Sequence, residues 1–291
     1  MYRLAHFSDP HLPSPPGSMT ISYAMTKRLF SWSSWRRKRS KHHKKAVLDA
    51  ITADVAAWSP DHLVITGDLI NFAADKEFAA ARAWLESLGP AHDVTVTPGN
   101  HDALAGCGEF GPWAEWLEDE TTDSFPKVRI RGEVAVICVN TGLPTAPFLA
   151  TGTCGEAQLA RLGPILDDLK ARGLFRIIAL HHPPTPGGSA RKALTDQKAL
   201  RDILGRHGAE LILHGHTHVP LLGSVKGPDG QIATVCAPSA SQRPVGKNNA
   251  ARWHGIEIER GGSGWKVRVE VRGFAPDGDA VEPLGQYRLD A

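Results

Sequence analysis

Five short motifs hold the residues whose types and spacing could do chemistry. They are Ser8-Asp9-Pro10-His11, Gly67-Asp68-Leu69-Ile70-Asn71, Pro98-Gly99-Asn100-His101-Asp102, His181-His182-Pro183-Pro184 and His214-Gly215-His216-Thr217-His218. The donors are carboxylates, imidazoles and an amide oxygen, with no thiolate. A single Asp after a strand is ordinarily a helix cap or a turn former. A single His there is ordinarily a packing or surface residue. Five such groups in series are hard to reach without a metal centre. Asp9-x-His11 and His216-x-His218 also place donors two residues apart, where an extended segment points them the same way. The donor set excludes a structural zinc site of the cysteine type. It suits Mn, Fe or Zn and is too rich in nitrogen for Ca or Mg alone. The donors exceed what one ion needs, so two ions sharing a bridging carboxylate fit better. Such a pair clamps the attacking and leaving oxygens of a phosphoryl displacement.

Each motif follows a short apolar run. Leu4–Phe7, His62–Thr66, Val94–Thr97, Phe175–Leu180 and Leu211–Leu213 read as buried strands, and so do Val134–Val139 and Ile232–Cys236. Helical periodicity lies between them. Ala46–Trp58 puts Val47, Ile51, Val55 and Trp58 on one face, and Asp75–Leu88 does so less cleanly with Phe78, Arg82 and Leu85. Glu156–Ala171 and Asp196–His207 are further helices. The alternation predicts layered α/β architecture. In open α/β sheets the carboxyl ends of strands form the ligand edge, so the five motifs should meet on one rim. Near the C-terminus, Gly255–Glu259 and Trp265–Val271 alternate around Gly261–Gly264 and predict a hairpin, with a surface-wrapping tail after Phe274.

The 291 residues, 42% of them apolar, are expected to form one domain over 1–291, ending in a hairpin and tail from about 252. Four cysteines with no CxxC exclude a disulfide framework. With no signal peptide and no apolar run long enough to span a bilayer, a soluble, cytoplasmic protein is expected. The net charge of +2 hides an asymmetry. Pro10–Leu48 holds nine basic residues and no acidic one, which leaves 24 basic and 31 acidic residues, or −7, elsewhere. The oddest stretch is the basic, Trp-containing insertion at 17–45. Nothing elsewhere supports nucleic-acid binding.

The ordered set Asp9-x-His11, Gly67-Asp68, Gly99-Asn100-His101-Asp102, His181 and Gly215-His216-x-His218 resembles the calcineurin-like metallophosphoesterase superfamily. The resemblance implies a four-layer α/β/β/α sandwich with a dinuclear centre and a metal-bridging hydroxide that attacks phosphorus in line. Carried over by position, Asp9, His11 and His218 hold one ion; Asn100, His181 and His216 hold the other; Asp68 bridges them. His101 matches the histidine beside the leaving group, and Asp102 would orient it. The pattern His-x-Pro selects His181 as ligand and leaves His182 as a cleft wall or phosphate contact.

The motifs look most like the branch with bacterial cyclic-nucleotide and glycerophosphodiester phosphodiesterases, so phosphodiester cleavage leads. One alternative is a membrane-associated hydrolase of a lipid-linked phosphoester or pyrophosphate. Another, of a different class, is a non-catalytic metal-binding scaffold. In the insertion, Met25, Leu29 and Trp32 fall at helical spacing between Ile21 and Trp35, beside Lys27, Arg28 and the run from Arg36 to Lys41. That pattern suits an interfacial helix on an anionic membrane at residues 21–45, which would make the enzyme peripheral on the inner face. The same stripe would equally cap the cleft or form a subunit contact in a homo-oligomer. His42 and His43 extend the charged surface on this reading. Asn140-Thr141 and Ser239-Ala240-Ser241 follow strands and are weaker candidates for substrate contact.

Overall fold

The computed structural model describes every residue except 24–25, 105–110, 117–123, 245–249, 263, 277 and 291; at 21, 38, 111–113 and 290 it describes the backbone alone. Met25 and Cys107 therefore lie outside the described residues. Two six-stranded sheets pack face to face. The first runs β12 (Val281–Asp290), β11 (Trp265–Phe274), β10 (Arg252–Arg260), β1 (Tyr2–Phe7), β2 (His62–Ile65), β3 (Val94–Val96). The second runs β4 (Lys127–Arg131), β5 (Val134–Cys138), β6 (Phe175–Ala179), β7 (Leu211–His214), β9 (Gln231–Cys236), β8 (Leu221–Lys226).

The alternation of side chains along each strand builds the layers. In β1, Ala5 and Phe7 join a core with Leu48 and Ile51 of α3 (Lys45–Trp58) and Phe78 and Leu85 of α4 (Asp75–Leu88). Leu4, next to Ala5 in the strand, faces the other way, into an inter-sheet core with Val64, Val136, Ile177 and Ile256. Ile178 and Ile212 turn outward from the second sheet. They meet Leu162 and Leu166 of α5 (Glu156–Ala171) and Leu200 of α6 (Gln197–His207). Strands buried on both faces read as continuous apolar runs, which is why they were legible in the sequence. The result is a helix–sheet–sheet–helix sandwich.

β1, β2 and β3 are parallel, as are β5, β6, β7 and β9. Their carboxyl ends therefore share an edge within each sheet. A parallel bridge between Ser8 and Ser239 joins the two edges. Three strands were not expected. In β4, Lys127 and Arg129 are charged yet buried, and Arg129 Nη1 donates to the carbonyls of Ala91 and Val94 (2.6 Å each). β8 is an exposed edge strand with little apolar signal. β12 replaces the surface-wrapping tail: Val281–Asp290 pairs antiparallel with β11 across a register shift near Pro283, which an edge strand tolerates. In α4, Glu77 is buried along with Phe78, Ala81 and Leu85 and accepts the N–H groups of Asn71, Phe72 and Ala74; Arg82 points outward to Glu86 and Glu115.

The basic insertion folds over the rim. It contains α1 (Lys27–Ser34), a wide turn over Trp35–Arg39 and the single turn α2 (Ser40–His42). Trp32 packs inward on the first core and Trp35 meets Phe72 edge-on. Both tryptophans pack toward the protein's own interior. No helix among the described residues is long and apolar enough to cross a membrane.

Candidate metal centre

The loops at the rim are bent to present their side chains. Asp9, His11, Asp68, His216 and His218 all have positive φ (51°, 41°, 54°, 70° and 56°). Such backbone costs a non-glycine residue roughly 1–3 kcal/mol and persists where its surroundings over-determine it. Here Asp9 N–H donates to Gly67 O (3.0 Å), His11 N–H to Asp68 O (3.1 Å) and Gly215 N–H to His181 O (3.1 Å). Two glycines permit the crowding. A Cβ at Gly99 would overlap the Asp68 carboxylate, and one at Gly215 would overlap Ser8 Oγ and Asp9 Oδ2.

Seven side chains converge. His11 Nε2 lies 3.2 Å from His218 Nε2, which lies 3.0 Å from Asp9 Oδ1. His181 Nε2 lies 3.2 Å from Asn100 Oδ1, 3.2 Å from His216 Nδ1 and 3.3 Å from Asp68 Oδ2. Asp68 Oδ2 is also 3.9 Å from His11 Nε2. With metal–nitrogen bonds of about 2.0–2.1 Å, neighbouring donors on one ion stand roughly 3.0–3.4 Å apart. The spacings of 3.0–3.3 Å are those of polyhedron edges, and the 3.9 Å from Asp68 to His11 is longer. Asp9, His11 and Asp68 form one group of potential ligands, and Asp68, His181 and His216 another. Asp68 belongs to both.

Carbonyl groups set the tautomers. His11 Nδ1 faces Ile70 O (3.3 Å), His181 Nδ1 faces Thr66 O (2.7 Å) and His216 Nε2 faces Lys192 O (3.0 Å). Each carbonyl accepts that ring N–H and leaves the other nitrogen's lone pair aimed into the cluster, as second partners do at metal sites. Burial, then repulsion from neighbouring imidazoles, holds His11 and His216 well below the ordinary histidine range. For Asp68, burial opposes ionisation, but His181 and His101 outweigh it and hold the carboxyl well below its usual range. His181 is pushed up to about 10, against burial, by Asp68. Buried carboxylates among neutral imidazoles demand a positive partner, either a proton on His181 or a cation. The donor set fits metal ions.

Two roles expected from the sequence change. Asp102 was to orient the His101 ring. Its carboxylate instead accepts the backbone N–H groups of Asp68 (2.8 Å), Gly99 (2.9 Å) and Ile70 (3.2 Å), bracing the loops that carry Asp68 and Asn100. The His101 ring takes Asn71 O as its Nδ1 partner (2.6 Å), while its backbone N–H donates to Asp68 Oδ1 (2.8 Å). His182 was to be a cleft wall or phosphate contact. It is fully buried, with Nδ1 on Thr141 Oγ1 (2.8 Å) and Nε2 on Ala150 O (3.3 Å), and its ring packs 4.3 Å from that of His216. It supports a ligand from behind. Thr141 thus serves His182, and Ser239 serves the ligand loop by donating from Oγ to Asp9 O (2.6 Å).

Two residues of the insertion were missed. His43 is buried beside His11 and His218, not spread on a charged surface. Arg39 reaches back from the cap so that Nη1 lies 2.7 Å from His101 Nε2, and its Nη2 donates to Ser31 O and Ser31 Oγ (2.9 Å each). Neither residue follows a strand or sits in a periodic pattern; the only sequence signal was a basic run lacking acids. Arg39, Lys27, Arg37 and Lys192 share a cavity of about 600 Å³ with His11, Asp68, Asn100, His101, His216 and His218. Phe30, Phe148 and Leu149 line its apolar side, and the two phenylalanine rings lie 5.2 Å apart.

Residues 2–220 match the family model for calcineurin-like phosphoesterases. The chain belongs to that family and is a metal-dependent phosphoester hydrolase. It is similar to a probable cyclic nucleotide phosphodiesterase of Rhodococcus erythropolis, 27% identical over 238 residues that cover 79% of this chain and 69% of the relative. A probable cyclic nucleotide phosphodiesterase of Synechococcus sp. strain WH7803 is 35% identical over 140 residues, 47% of this chain and 49% of the relative. Among solved structures, a purple acid phosphatase from yellow lupin superposes with a TM-score of 0.62 at 11% identity, covering 99% of this chain and 53% of that one. A dimetal phosphatase from Danio rerio does so with a TM-score of 0.53 at 13% identity, covering 98% and 99%. At such identities these likenesses speak for the fold alone.

Proposed function

We propose that the chain is a two-metal phosphodiesterase. The observation that carries this reading is the convergence of seven buried or half-buried donors around Asp68, next to a cationic cavity with one apolar wall. In this reading Asp9, His11 and His218 hold one ion, Asn100, His181 and His216 the other, and Asp68 both. Bound divalent ions polarise phosphoryl oxygens and lower the pKa of water.

The chain's own residues supply the rest. Arg39 presents a guanidinium fork suited to two phosphate oxygens, and Lys27 and Lys192 add charge at the cavity wall. Arg39 turning to a phosphate releases His101 Nε2 from its 2.7 Å contact. With Arg39 turned away, Nε2 of His101, whose Nδ1–H stays on Asn71 O, takes a proton from solvent and passes it to the leaving oxygen. Phe30, Phe148 and Leu149 receive an apolar or aromatic arm of the ester.

The relatives' names make cyclic nucleotides the first substrates to try, with the base against that wall. An acyl arm of a lipid-linked ester would use the same surface. The test compares turnover of bis-p-nitrophenyl phosphate, p-nitrophenyl phosphate, cyclic nucleotides and a short-chain glycerophosphodiester, with protein stripped of metal and reloaded with Mn, Fe or Zn. Faster cleavage of diesters than of the monoester, dependent on reloading, supports the proposal. Preference for the monoester, or no metal dependence, overturns it.

A further inference from the structure

His43 closes a second imidazole cluster that the ordered motifs do not contain. Potential ligand atoms of His11, His43 and His218 all lie within 4.8 Å of one another. The His43 ring centroid is 4.6 Å from that of His11 and 5.4 Å from that of His218. Its Nδ1 faces two hydroxyls, Ser241 Oγ at 2.9 Å and Ser239 Oγ at 3.1 Å. Ser239 already donates its own proton to Asp9 O, so it meets His43 as an acceptor. With Nδ1 donating to these hydroxyls, Nε2 keeps its lone pair. The carbonyls of Ile70 and Thr66 impose the same tautomer on His11 and His181, while Lys192 O takes Nε2–H of His216 and leaves its Nδ1 for the cluster.

The backbone around His43 is pinned to the same rim. Lys44 N–H donates to Ser241 O (2.8 Å), Arg243 N–H donates to His42 O (2.9 Å), and His43 forms an antiparallel bridge with Gln242. A buried imidazole on a basic segment stands amid two other imidazoles, held through its Nδ1 by two hydroxyls. An apolar residue would fill the space without burying a polar nitrogen.

We propose that His43 is an additional metal ligand, supplied by the insertion to the ion held by Asp9, His11 and His218. The inference rests on the two-metal reading above. It makes the cap part of the metal centre: the segment that brings Arg39 over His101 is anchored through His43 to the ion itself. By reciprocity, holding the metal holds the cap in place.

The test is a metal titration of the full chain, stripped with chelator and reloaded with Co²⁺, read by elemental analysis and by the visible absorption of the bound cobalt. Wild-type protein is expected to bind two ions. His43→Phe keeps a ring against His11 and His218 but removes the donor. Outer partners of ligands cost about 10–100-fold in metal affinity, and loss of a direct ligand should cost at least as much, at one site of the two. The cobalt spectrum should change with it. His42→Ala, one residue away, should leave both affinities unchanged. Ser241→Ala, which removes a partner of His43 Nδ1 and leaves Ser239 on Asp9, should weaken the same site while the imidazole remains. Two ions bound by His43→Phe with wild-type affinities and spectrum overturn the inference and leave the two-metal reading standing. Wild-type protein that binds no metal overturns that reading instead. A crystal structure of the wild-type chain with Mn²⁺ decides independently of any variant's folding. An anomalous peak within about 2.3 Å of His43 Nε2 supports ligation, on the scale of ordinary metal–nitrogen bonds, and a peak outside bonding reach overturns it.

Discussion

Nη1 of Arg39 lies 2.7 Å from Nε2 and 3.0 Å from Nδ1 of His101, so a guanidinium from the insertion rests against an imidazole that stands beside the ligands and not among them. Burial, and then Arg39, push His101 down to about 3. The ring therefore stands neutral, with Nδ1–H donated to Asn71 O and the Arg39 guanidinium lying across it, 2.7 Å from Nε2 and 3.0 Å from Nδ1. An arriving phosphate competes for that guanidinium and so connects substrate binding to the state of His101.

Arg39→Ala should lower kcat/KM by roughly 10² to 10³, the range for losing one preorganised electrostatic donor, with both metals retained. With the guanidinium gone, the His101 pKa rises. Whichever limb of the pH–rate profile reports His101 should therefore move to higher pH. Steady-state kinetics across pH, beside metal analysis of the same preparations, checks both statements.

Asp68→Ala should lose at least one ion and nearly all turnover, because its carboxylate lies 3.3 Å from His181 Nε2 and 3.9 Å from His11 Nε2 and is shared by two ligand groups. Elemental analysis of the purified variant is the measurement. A variant that keeps two metals per chain would sink the bridging assignment.

His101→Ala should keep its metals while kcat falls by roughly 10² to 10⁴, the usual range for a general acid or base. The fall should be smaller for esters that release p-nitrophenolate than for those that release an alkoxide. Equal losses for both would argue against proton transfer to the leaving group.

Far from the rim, Asp54 of α3 accepts Arg272 Nε (2.8 Å) and Nη2 (2.7 Å) together with Trp253 Nε1 (2.8 Å). Burial opposes ionisation of Asp54, but the hydrogen bonds from Arg272 and Trp253 outweigh it and hold the carboxyl below its ordinary value. A depressed carboxylate contributes stability that is present above its unfolded pKa and lost as pH falls through its folded one. Asp54→Asn should therefore be less stable than wild type near pH 7, and the gap should narrow below about pH 4, the ordinary range of Asp. Urea midpoints of chelator-treated protein at the two pH values measure this; a gap independent of pH would show that charge is not the cause.

Sequence alone made the donor motifs legible, because strands buried on both faces appear as apolar runs and parallel strands must end on a common edge. Asp9, Asp68, Asn100, His181 and His216 could be gathered on that rule without knowing a single distance. The rule has no hold on residues that reach the rim from elsewhere. His43 and Arg39 lie in a basic segment where periodicity and charge suit a membrane surface, a subunit contact or a cap equally well. The packing of Trp32 on the first core and the bonding of His43 to Ser239 and Ser241 are contacts that neither periodicity nor charge reveals. The same limit applies to Asp102 and His182. Each stands beside a ligand in the chain, but a side chain's partner is set by where its loop turns. Asp102 turns under its loop to the N–H groups of Asp68, Ile70 and Gly99, and His182 turns back to Thr141 and Ala150. Neighbourhood in sequence fixes which groups are near the rim; the direction in which each one points comes from long-range contacts that close only when both sheets are in place.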